Sequence, residues 1–249
     1  MALHHAVTLG PATRVMIAWA TLSLSVAALA APRSESGRTL IIPAEHAALG
    51  TVYYILPGED GQIVFTSDAS LERITGVSGA VIGYAIAPTD DAPRAALLKG
   101  EFRLPVRSIN TGLRLRDEHL RSGRWLNTED HPDIVFTLDG AERVTRANAP
   151  TGPDRVPGVE VWTADLVGAM TIRGVSRPLR VPARISVMPA SPVTLRRAPG
   201  DLLAIRATFT INLREFGLND PAMSAGMVAE DVSIDTFLLL STVSPDTPR

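Results

Sequence analysis

From Thr51 onward the chain alternates apolar and polar residues in steps of two. In residues 99–107, Phe102, Leu104 and Val106 fall on one side and Glu101, Arg103 and Arg107 on the other. A β-strand turns successive side chains to opposite faces, so this pattern predicts a strand with one dry side and one wet side. Ile134, Phe136 and Leu138 repeat it against Asp133, Thr137 and Asp139. Trp162, Ala164, Leu166, Gly168, Met170 and Ile172 do so against Thr163, Asp165, Thr171 and Arg173. Leu179, Val181, Ala183, Ile185 and Val187 follow, then Leu203, Ile205, Ala207, Phe209 and Ile211. Residues 52–56, 62–67, 79–87 and 231–240 complete a set of eight or nine predicted strands. The short turn between Ile172 and Leu179 predicts an antiparallel hairpin. Pro105 has no backbone donor, which predicts an edge or a bulge at that point.

Three stretches break the alternation. Residues 113–125 include Arg116-Asp117-Glu118-His119-Leu120-Arg121, which suits a short helix. Residues 145–158 are rich in Pro, Ala and Gly and predict a mobile loop. Residues 31–50 form a polar, proline-bearing lead-in with no assigned element, and residues 244–249 a short tail. The strand-rich part, residues 51–243, is then one all-β domain. Roughly eight antiparallel strands with one apolar face must close on themselves or stack as a sandwich. Closure removes unpaired edges, and an eight-stranded barrel has a lumen sized for side chains or one small ligand. Ala164, Gly168, Ala183 and Ala207 are small inward residues that leave room; the alternative is that large residues opposite fill it. An open lumen would favour a hydrocarbon by about 0.8 kcal/mol for each methylene removed from water.

Composition narrows the functions. In the first thirty residues Arg14 is the only charge before an apolar run that closes with Ala28-Leu29-Ala30. This reads as a signal peptide cut between Ala30 and Ala31, giving a periplasmic or secreted protein. The chain has no cysteine, so disulfides, thiol catalysis and Cys-based metal sites are ruled out. The formal net charge is −2, with nothing to attract nucleic acid.

With those elements placed, three blocks show a resemblance. The first is Ser108-Ile109-Asn110-Thr111-Gly112, Arg116 to Leu120, Trp125-Leu126-Asn127 and His131 to Phe136. The second is Gly168 to Leu179; the third is Arg214-Glu215-Phe216-Gly217 followed by Glu230 to Ile234. Together, in this order, they resemble the signatures of the YceI family over about residues 52 to 243. The resemblance implies a lipocalin-like antiparallel eight-stranded barrel with a short helical insertion, usually periplasmic. It also implies an elongated apolar cavity for polyisoprenoids such as isoprenoid quinones. The sequence departs from the family near its start, where residues 53–58 lack the family's His.

On this reading the protein binds a long-chain lipid and performs no chemistry on it. The inward positions expected to touch the ligand are Phe102, Leu104, Phe136, Leu166, Met170, Val181, Ile205 and Phe209. A register slip of one residue would turn any of them outward. Arg116, Asp117 and His119 are candidates for contact with a head group at the barrel mouth. No cofactor, metal or nucleic-acid partner is expected, and pairing into a homodimer stays open. Two other classes remain. One is a structural or partner-binding barrel with a filled core and no ligand. The other is a hydrolase or isomerase using Asp117 and His119, although an i, i+2 pair diverges on a helix.

Overall fold

The computed structural model describes residues 40–58, 61–148 and 158–246. The expected leader, residues 31–39 of the lead-in and residues 149–157 of the loop lie outside the described residues. Ten strand segments follow in chain order: β1 Thr51–Ile55, β2 Ile63–Asp68, β3 Arg73–Ser78, β4 Ile82–Ala87 and β5 Lys99–Pro105. Then come β6 Asp133–Ala147, β7 Glu160–Ile172, β8 Val175–Met188, β9 Leu202–Asn212 and β10 Asp231–Ser241. All pairings between them are antiparallel.

Ten segments make eight staves. β1 and β2 lie end to end along β10, with Ile55 opposite Leu240 and Ile63 opposite Thr236. β3 and β4 lie end to end against them, with Ser78 opposite Ile63 and Tyr84 opposite Tyr54. The order then runs β4 to β10, and β10 returns to β1. The result is a closed eight-stranded antiparallel barrel.

Both broken staves are held by one buried side chain. Gln62 Nε2 donates to the Leu56 carbonyl at 3.0 Å, across the first break. Its Oε1 accepts from the Val81 amide at 2.9 Å, across the second. An amide side chain has both donor and acceptor, so it satisfies two backbone groups that the interrupted ladders leave over.

β3 escaped the alternation reading because its inward positions are Ile74, Gly76 and Ser78. Gly76 is required there: a Cβ would stand 2.2 Å from the Phe65 ring, which lies across it. β6 runs on to Ala147, past the expected start of the loop, after register shifts between Leu138 and Gly140 and between Glu142 and Thr145. The lead-in is not all irregular. α1 Ala44–Ala47 precedes β1, and His46 Nδ1 meets the Tyr84 hydroxyl at 2.7 Å. This contact explains why Tyr84, on the outer face of β4, is buried.

The expected helical insertion is α2, Arg114–Arg121, between β5 and β6. It shares one end of the barrel with the β2–β3 and β7–β8 turns and with α3, Pro221–Ser224, of the β9–β10 connection. At this end the wall is unpaired in two places. β5 pairs with β4 only as far as Arg103, and β3 touches the following segment through a single bridge, Val77 to Asn110. β8 pairs with β9 only from Ala183 onward. Prolines mark both sites. Val106 donates to Pro132 on the β6 side, so the donor that Pro105 lacks would face the side where β4 has ended. Pro178 and Pro182 occupy the stretch of β8 that β9 does not reach.

Candidate functional site: an apolar cavity closed at one end

The two ends of the barrel interior differ. Away from α2, Tyr53, Leu97, Leu138, Ile185, Leu203 and Leu240 are 0–1% exposed and pack into one cluster. These side chains meet across the axis and seal that end. From the middle toward α2 the facing side chains do not meet, leaving a cavity of about 140 Å³. A second cluster, including Ile109, Leu126, Phe216 and Leu218, packs over the α2 end.

Phe102, Leu104, Phe136, Leu166, Met170, Val181, Ile205 and Phe209 all line this cavity. They come from strands β5 to β9 and converge because the alternation keeps its phase along each strand. The wall also includes Ile63 and Val81 beside the stave breaks, Ile134, Ile172 and Ile211 toward α2, and Ile234, Thr236 and Leu238 of β10. The signal for the last three was the alternation within residues 231–240, where Thr236 is the only polar residue on the inward face between Val232 and Leu240.

Of the four small inward residues, three act together. Ala164 pairs with Ala183, Ala183 with Ala207, and Ala207 with Thr236. One rung crossing four strands therefore carries no side chain larger than threonine. Gly168 acts differently. A Cβ there would stand 2.0 Å from the Thr137 carbonyl oxygen, so this glycine allows β6 and β7 to approach beside the β6 bulge.

Arg116, Asp117 and His119 do not line the cavity. Arg116 pairs with Glu72. The Asp117 carboxylate is buried and accepts from the Thr111 amide at 2.9 Å and its hydroxyl at 2.6 Å. It thereby holds the turn leading into α2. His119 is exposed. No hydrogen bond joins Asp117 to His119 among the described residues. Elsewhere Tyr53, inside the sealed end, has its hydroxyl pKa raised, chiefly by burial. Asp165, on the outer wall, is held below the usual carboxylate range by hydrogen bonds from Arg143 and Arg180.

Among the described residues no group of His, Asp or Glu is arranged to hold a metal ion. The cavity wall itself is apolar except for Thr236.

A family model for the YceI-like domain matches residues 53–238. The chain belongs to the YceI-like family. A UPF0312 protein of Pseudomonas putida strain W619 is 28% identical over 147 residues, covering 59% of this chain and 66% of that protein. A UPF0312 protein of Pectobacterium atrosepticum is 27% identical over 136 residues, covering 55% and 58%. The matched region thus spans 66% and 58% of these two relatives' own lengths, less than two thirds of each. Among solved structures, BcnA of Burkholderia cenocepacia superposes with a TM-score of 0.51 at 14% identity, covering 72% of this chain and 94% of its own. A polyisoprenoid-binding domain from Saccharophagus degradans, implicated in plant cell wall breakdown, gives 0.53 at 14%, covering 77% and 98%. These likenesses show that the YceI-like barrel is the shared fold.

Proposed function

We propose that this protein is an exported carrier or reservoir that holds a polyisoprenoid, or a similar long-chain lipid, in its barrel. The observation that carries this reading is a cavity whose wall has Thr236 as its one polar residue. Family membership and the polyisoprenoid-binding domain with the same fold support it. A dry apolar void of about 150 Å³ is enough to admit benzene, so the cavity as it stands takes a short length of chain. The rest of a longer chain runs toward the α2 end, where two stretches of wall lack strand pairing. Each methylene taken from water contributes about 0.8 kcal/mol, so a few isoprene units supply the affinity without polar contacts along the chain.

The test is to purify the protein natively, extract it with organic solvent and analyse the extract by mass spectrometry. A co-purified prenyl lipid is expected, along with saturable binding of added isoprenoid quinone. A clean extract together with no quinone binding would overturn the reading and favour a barrel that recognises a partner by its outer face.

A further inference from the structure

Four large apolar side chains stand in the open at the α2 end. Leu71, Leu113, Leu115 and Met227 are 48–74% exposed. Their segments are tied to one another. The Leu71 amide donates to the Gly226 carbonyl at 2.9 Å, and a Cβ on Gly226 would stand 3.7 Å from Leu71 Cγ. Leu71 therefore lies beside the segment that carries Met227. Glu72, the next residue, pairs with Arg116 and so draws the β2–β3 turn against the first turn of α2. Leu113 caps that turn and Leu115 is its second residue.

The cluster borders one of the gaps in the wall. β3 meets the segment after β5 only at the Val77–Asn110 bridge. Leu71 precedes β3, while Leu113 and Leu115 follow Asn110, so they stand on the two lips of the unpaired stretch. Charge cancels along the same lips. Arg73 pairs with Asp68, Arg114 with Glu118 and Arg116 with Glu72. Asp117, the remaining charge in these two segments, is buried against Thr111, and residues 225–229 carry no charge. The rim thus offers apolar side chains on a surface without net charge.

We infer that this rim docks on a lipid bilayer, with Leu71, Leu113, Leu115 and Met227 entering the boundary between head groups and acyl chains. The inference rests on the lipid-binding reading and adds where the lipid is exchanged. An exposed apolar cluster marks a docking surface, and apolar side chains entering that boundary are how peripheral proteins hold to membranes. Three observations favour a bilayer over a protein partner. The four side chains sit on turns and at a helix start, as protruding tips rather than a groove. The cancelled charges give an oppositely charged protein nothing to recognise. The cluster flanks a wall gap at the end toward which the proposed ligand runs, and a long-chain lipid is itself drawn from a bilayer.

The test is co-sedimentation of the full-length protein with vesicles of neutral phosphatidylcholine, together with capture of a short-chain isoprenoid quinone from those vesicles. The parent is expected to sediment with them, and added salt or anionic phosphatidylglycerol should change this little. Leu71→Ser/Leu115→Ser is expected to lose about tenfold or more in vesicle binding and to capture quinone from vesicles correspondingly more slowly. Its affinity for the same quinone added from ethanol should stay unchanged, which separates docking from the cavity and shows that the variant is folded. Val193→Ser/Leu195→Ser is the control. These two residues of the β8–β9 connection, at the sealed end, are 48% and 53% exposed, and their loss should alter none of the readouts. A parent that ignores vesicles, or a control that loses as much as the Leu71/Leu115 variant, would overturn the inference. So would a dimer in sedimentation velocity that only the Leu71/Leu115 variant abolishes, which would assign the cluster to a second copy of the chain. In each case quinone binding from ethanol would leave the carrier reading standing, and its absence in the parent would remove that reading instead.

Discussion

At the scale of single residues, polar side chains in the barrel wall divide by whether their partners are present. Gln62 is fully engaged, bridging Leu56 and Val81 across the two stave breaks. Gln62→Met keeps the length and bulk but strands a buried carbonyl and amide. The expected loss is about 1–3 kcal/mol in denaturant unfolding. A change of only a few tenths would show that those backbone groups find other partners. Asp117 is engaged in the same way at Thr111, so its role is to position the α2 turn. Thr236 is the converse, a hydroxyl in the wall with no such partner.

At the scale of elements, the sites where strand pairing stops can be checked directly. Residues 176–181 of β8 have β7 on one side and no strand on the other, whereas residues 183–188 lie between β7 and β9. Amides that face away from β7 are expected to exchange with solvent markedly faster in 176–181 than in 183–188. Equal protection would mean that the segment over that gap replaces the missing ladder. The β-strands themselves were largely legible in the sequence. Period-two alternation located β5 to β9 and the phase of each, and so put eight inward side chains on one cavity wall. It failed where the inward residues carry little apolar signal. β3 has Gly76 and Ser78 facing in, and the end of β6 is obscured by two register shifts that reset the phase. The stave breaks were not legible either, because a glutamine that staples two loops looks in sequence like any polar residue at a strand start. Alternation likewise cannot tell a void from a filled core. That depends on which rungs align across strands, and the Ala164–Ala183–Ala207 alignment appears only with the register.

At the scale of the whole molecule, the leader and the barrel make separate demands. The apolar run ending at Ala28-Leu29-Ala30 is proposed to direct export. Expressed with this leader in a Gram-negative host, the protein is expected in the periplasmic fraction with Ala31 as its first residue, by amino-terminal sequencing. Recovery of the intact chain in the cytosol would overturn the export proposal. With no cysteine, the barrel draws its stability from burial and ladder hydrogen bonds rather than from cross-links.

The sealed end has one more consequence. With Leu138, Ile185, Leu203 and Leu240 wedged together at 0% exposure, the tube is a blind alley. Whatever enters must back out the way it came. If it holds a lipid as proposed, such a vessel fills and empties through the same end, and cannot serve as a conduit.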